Sequence, residues 1–142
     1  GHCKVVPFGE PCSCGSNGCV EAYSSATAIV NRYKMLSGTT HSVETIFHLK
    51  NPQARKVVGD AIRYMGIAVA NIIVAIEPEV VIFGGGVSRS RGFVERVQAE
   101  AARQIYMPSL RFVKFKRAKL GDMAGAIGAA ALAMQHVKSY QL

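Results

Sequence analysis

Gly1-His2-Cys3, followed by Pro11-Cys12-Ser13-Cys14-Gly15-Ser16-Asn17-Gly18-Cys19, places one imidazole and several thiols close to one another in the chain. His2, Cys12, Cys14 and Cys19 match the tetrahedral preference of zinc for thiolate and imidazole ligands. Such a set leaves no position open for water, so the site it predicts is a staple and not a source of nucleophile. Wrapping the chain that tightly needs sharp turns between ligands, and Gly15 and Gly18 can adopt positive φ without steric cost. The alternative is a set of reduced thiols or one disulfide, although Cys12 and Cys14, one residue apart, rarely meet disulfide geometry. Cys3 is the odd thiol. It follows His2 directly in what reads as a strand, so its side chain is expected on the opposite face, as a small buried hydrophobe.

Working outward, Ala22 to Met35 carries apolar residues at helical spacing and Ser37-Gly38-Thr39-Thr40 ends it, which predicts one helix. Ser42 is expected to cap a short helix to Lys50. Asn51-Pro52 then opens a longer one to about Ile76, with Pro at a first-turn position that needs no amide proton. Tyr64 to Ile76 is apolar almost all round, which predicts burial between layers, and Gly66 and Ala70 allow another backbone to come close. Glu77-Pro78 breaks that helix. Val80-Val81-Ile82-Phe83 reads as a fully buried strand, and Gly84-Gly85-Gly86 follows at once.

Three glycines after a strand let a phosphate or nucleoside reach bare amides, but a tight strand-to-helix turn explains them equally well from the residues alone. The Lys and Ser/Thr of a Walker loop are missing. Arg91 to Tyr106 predicts an amphipathic helix with Phe93, Val94, Val97, Ala101 and Ile105 on one side. Arg111 to Lys116 predicts a strand, and Gly121-Asp122 starts the last helix with Asp122 as cap. Gly125 and Gly128 in that helix each cost about 1 kcal/mol against Ala, and close packing on the sheet would justify them. His41, His48 and His136 are isolated and read as surface or structural. The element order predicts an α/β layer domain with a mixed sheet.

At 142 residues with 49% hydrophobic and 18% charged content, the chain can bury a real core, and no apolar run is expected to be long and charge-free enough to cross a bilayer. The net charge of +8 invites nucleic acid. The basic residues are scattered, however, and the one cluster, Lys114, Lys116, Arg117 and Lys119, reads as a solvated strand edge. No signal peptide is visible, and ligating thiolates fit a reducing, cytoplasmic compartment.

The N-terminal pattern resembles the signature of the ROK family of repressors, open reading frames and sugar kinases. There a Gly-His pair is followed by Cys-x-Cys-Gly-x-x-Gly-Cys and, two residues on, a glutamate; here these are Gly1-His2, Cys12 to Cys19, and Glu21. The resemblance implies the C-terminal lobe of the actin-like ATPase (ribonuclease H-like) fold. One domain would span 1–142, with a zinc loop at 1–21 and an α/β core at 22–142. It also implies that His2 gives one ring nitrogen to zinc and the other to a sugar hydroxyl, while Glu21 accepts from the sugar. From the residues alone, Glu21 also suits a helix N-terminus. Gly84, Gly85 and Gly86 would be a nucleotide-contacting loop, and Gly125 would line the adenosine pocket.

Family members are about twice as long. The expectation is therefore a C-terminal half lacking the N-terminal lobe: the first phosphate hairpin, the Asn-Asp pair with the catalytic base, and a sugar-binding glutamate. No catalytic residue is expected in this half. The resemblance implies a glucokinase-like parent that phosphorylates a hexose with ATP and magnesium, as a homodimer without membrane attachment. The alternative is a sugar-responsive repressor, the one case in which nucleic acid would be a partner.

Overall fold

The computed structural model describes residues 1–139. After an irregular N-terminal loop, the elements are α1 (Glu21–Ser24), α2 (Ala26–Ser37), α3 (Val43–His48), α4 (Pro52–Ile76), β1 (Val80–Phe83), α5 (Phe93–Gln104), β2 (Lys114–Arg117) and α6 (Ala124–Ser139). Short 3-10 turns at Gly86–Arg89, Pro108–Phe112 and Gly121–Met123 link the later ones.

The helix starts follow their caps. Ser42 Oγ accepts from the Thr45 N–H at 3.2 Å, and the Asn51 side-chain oxygen accepts from the Ala54 N–H at 2.7 Å. The single helix expected over Ala22 to Met35 is instead two. Ser25 sits in extended backbone and its Oγ takes the Ala28 N–H at 3.1 Å, so it closes α1 and caps α2. Asp122 as a cap lies outside the described residues, its side chain being among those not described.

α4 is the central pillar, packed against α1, α2, α3 and α5. Ile73, Val57 and Ala61 on it meet Ile29, Ile46, Phe93, Val97 and Ile105 in one continuous core. The expected close approach is made at Gly66, where an added Cβ would come within 2.6 Å of Glu100 Cγ and 3.2 Å of the Ala101 nitrogen on α5. Contrary to expectation, α4 is by length and composition long and apolar enough to cross a membrane. Half of its most apolar stretch is buried among the other helices, the behaviour of a core helix.

β1, α5 and β2 form a strand-helix-strand unit whose two strands pair in parallel, with Val80 opposite Lys114 and Phe83 opposite Arg117. A mixed sheet is not formed among the described residues; the pair is purely parallel. α5 covers one face through Phe93, whose ring meets Phe83 edge-on at 6.3 Å, while Phe83 stacks on Phe115 at 5.6 Å. The other face is open, and Ile82 is 62% exposed, so β1 is half-buried and not fully buried as expected. α6 leaves through the Gly121–Met123 turn and does not pack on the sheet. A Cβ at Gly125 or Gly128 would meet nothing within 4 Å, so the close packing expected of these glycines is not formed here.

Candidate functional site

Backbone hydrogen bonds fold the N-terminal loop back on itself. The Val5 and Val6 amides donate to the Gly18 carbonyl at 2.8 and 3.2 Å, and Gly18 N–H donates to Glu10 O at 2.8 Å. Gly18 has φ +75°, and a Cβ there would run into the Val6 carbonyl, so this position admits glycine alone. Cys12 N–H reaches Ser16 O at 2.8 Å, closing the turn that carries Cys14.

These turns bring four donors together. One ligand atom from each of His2, Cys12, Cys14 and Cys19 lies within 4.8 Å of every other. Cys12 Sγ is 3.5 Å from His2 Nδ1, and Cys14 Sγ is 3.7 Å from Cys19 Sγ. Tetrahedral zinc with bonds of about 2.3 Å to sulfur and about 2.0 Å to nitrogen needs edges of roughly 3.5 to 3.8 Å, which these two pairs meet, and three thiols with one imidazole are a donor set that suits the ion. All four cysteines are free thiols. Cys3 is exposed, not buried as expected, because its carbonyl takes the Val20 N–H at 2.9 Å while the side chain turns away from the loop's few packed groups.

The cluster is electrostatically divided. The Cys14 backbone N–H, helped by His2, draws the Cys12 pKa down to about 6, whereas burial and then the neighbouring sulfurs push Cys19 up to about 11. A cation that held all the sulfurs as thiolates would remove this conflict.

His2 turns its second nitrogen outward, and Nε2 lies 3.6 Å from Glu21 Oε2. Glu21 is the first residue of α1, and its other oxygen accepts from Ser13 Oγ at 2.8 Å. Ser13, between two of the thiols, thus positions the carboxylate; the signal was present as a hydroxyl inside the loop but carried no motif. Glu21 borders a concavity of about 520 Å³ that Ser13, Thr27, Asn31 and Arg32 also line. Arg32 is fixed there by Asp60 at 2.8 Å and lies 4.9 Å over the Tyr23 ring.

Gly84, Gly85 and Gly86 line a second concavity of about 290 Å³, with Ser24, Ala26 and Phe93. Ser24 and Ala26 belong to the α1–α2 junction, whose Glu21, Ser25 and Thr27 line the first concavity. The same junction therefore borders both hollows. Gly85 has φ +82°, and its carbonyl accepts from Ser88 Oγ at 2.6 Å. A smaller hollow of about 130 Å³ joins Gly84 and Gly85 to Arg117, Lys119 and Gly121, so part of the basic cluster read as a solvated edge faces the glycine loop. Gly125 lines none of these hollows and is exposed.

The family model described as ROK family matches residues 1–136. The chain belongs to the ROK family. An N-acetyl-D-glucosamine kinase of Histophilus somni (strain 129Pt) is 36% identical over 124 residues, covering 85% of this chain and 40% of that protein. The crystal structure of a ROK hexokinase from Thermus thermophilus superposes with a TM-score of 0.86 at 33% identity, over 98% of this chain and 48% of that one. A ROK family glucokinase from Streptomyces griseus, crystallised with glucose and AMPPNP, gives 0.77 at 28% identity, over 95% of this chain and 50% of that one. The ROK chain described here thus spans half or less of the length of each of these proteins. Its fold is that of the matching part of ROK sugar kinases.

Proposed function

We propose that this chain is the C-terminal half of an ATP-dependent ROK hexose kinase and supplies its sugar contacts, its zinc staple and part of its nucleotide contacts. The observation that carries the reading is the facing pair His2 and Glu21, 3.6 Å apart on a junction whose far side borders Gly84 to Gly86. In this reading zinc sits among His2 Nδ1, Cys12, Cys14 and Cys19 and, when bound, keeps the sulfurs ionised and the imidazole fixed. His2 and Glu21 orient the hexose, and Ser13 holds the carboxylate.

The glycine loop lets the nucleotide come close to main-chain amides, with Arg117 and Lys119 at its edge. Gly125 would reach the nucleotide only after α6 is covered. The sugar hydroxyl oxygen attacks the γ-phosphorus, the bond to the bridging oxygen breaks and ADP leaves; the hydroxyl proton passes to a base outside this chain. Magnesium bound with the nucleotide would neutralise phosphate charge, and the enzyme's contribution is positioning and electrostatics. Reduced ligand thiols support a cytoplasmic setting, and the parent is read as a homodimer, to be checked by its mass in solution.

The test is sugar-dependent ADP formation by the full-length parent across glucose, N-acetylglucosamine, N-acetylmannosamine, fructose and allose. Glu21→Gln is expected to lower kcat/KM by about ten- to a hundredfold, the range for one charge-assisted hydrogen bond. No ADP with any hexose, together with DNA binding released by a sugar, would overturn the kinase in favour of the repressor.

A further inference from the structure

The chain's 4 cysteines all lie within residues 1–19, so its thiol chemistry is confined to the N-terminal loop. Cys12, Cys14 and Cys19 join His2 in the cluster whose ligand atoms lie within 4.8 Å of one another. That cluster is poorly sheltered. The His2 side chain is 55% exposed, Cys14 is exposed and Cys12 half-buried, and of the three thiols only Cys19 is enclosed. Phe8, the loop's largest apolar side chain, gives no cover, since it stands out in solvent itself.

Access for an oxidant and a partner for the oxidised sulfur coincide at Cys14. Its Sγ is 3.7 Å from that of Cys19, and a disulfide needs about 2.0 Å, so a short side-chain movement joins them. The turn between the two can yield. An added Cβ at Gly15 would meet nothing within 4 Å, so no packed neighbour wedges the backbone beside Cys14. Cys12 and Cys14, one residue apart, are poorly placed to bond to each other. Cys3 is exposed and lies outside the cluster.

We propose that the loop is a peroxide-sensitive switch in which Cys14 and Cys19 form a disulfide and release the metal. This rests on zinc occupying the four donors, as read above. The Cys14 thiolate attacks one oxygen of hydrogen peroxide, the O–O bond breaks, and a sulfenic acid forms as hydroxide leaves. The Cys19 thiolate then attacks that sulfur and displaces a second hydroxide. Two thiolates have lost two electrons, and peroxide has gained them. His2 and Cys12 are the only ligands left, too few to hold zinc. His2 thereby loses the anchor at Nδ1 that aims its other nitrogen at Glu21, so oxidation at the loop lowers sugar binding. A thiol reductant with zinc reverses every step.

The experiment uses the full-length parent with its zinc measured first, titrated with hydrogen peroxide in the presence of a chromogenic zinc chelator. Peptide mass mapping follows each addition. One zinc is expected to appear in the chelator for each Cys14–Cys19 disulfide formed, and dithiothreitol with zinc should restore the starting metal content. Cys3→Ser is expected to leave release unchanged. In the unsubstituted protein Cys3 serves as an internal clock, being an exposed thiol outside the cluster. Zinc retained after Cys3 is fully oxidised, or zinc released without a Cys14–Cys19 disulfide, would overturn the switch while leaving the zinc site standing. A parent that holds no zinc before peroxide is added would overturn the site and the switch together.

Discussion

The N-terminal loop and the α4–α5 pair reach order by different means. In the loop, Phe8 is 99% exposed and only Gly18, Cys19 and Val20 are buried, so little apolar area leaves water. Shape there comes from main-chain hydrogen bonds, one glycine that no other residue can replace, and four converging donors. Across α4 and α5, the contact is carried by Val57, Ala61, Ile73, Phe93 and Val97, all at most 2% exposed. A segment too poor in apolar surface to fold by burial can still be specified if its ligands are spaced for one ion.

That contrast can be broken at several points. The largest effect is expected from removing metal. Zinc analysis should find one ion per chain, and Cys14→Ser should abolish it, since structural zinc contributes on the order of 10 kcal/mol to the order of the segment that binds it. Limited proteolysis should then cut within residues 4–18 while helical circular dichroism persists; loss of the helical signal as well would show that the two regions are one unit. Next is Phe93→Ala, expected to cost about 3–5 kcal/mol in denaturant unfolding, with zinc content unchanged. The smallest is Ser25→Ala, which removes the α2 cap and should cost about 1 kcal/mol. It sharpens the comparison because Ser25 lies at the seam between loop and core.

What was legible in the sequence follows the same division. Metal-ligand spacing is a local property, so His2, Cys12, Cys14 and Cys19 could be singled out as candidates before any fold was known, and the structure brings their donor atoms together. Caps are equally local, hence Ser42 and Asn51 were readable. Ser25 was missed because apolar spacing continues across it, although a serine pair at 24–25 is itself a break signal. The exposed face of Ile82 and the unpacked Gly125 could not be read from their residues, since what covers a strand or helix depends on elements distant in sequence. Cys3 was misplaced for a related reason: alternation of faces holds in a strand, and Cys3 lies in irregular backbone joined to Val20 by a single hydrogen bond.

The outward turn of His2 carries a rule of selection. Once a metal takes Nδ1, as proposed, Nε2 would bear the proton and could only donate, while a carboxylate at Glu21 opposite could only accept. A group seated between them must therefore accept and donate at once. A hydroxyl does both; a methyl ether or fluorine offers no proton to the carboxylate, and an ammonium offers no lone pair to the ring. In the proposed site this pair, 3.6 Å apart, would sort ligands by functional group before any fit of ring or substituent is considered.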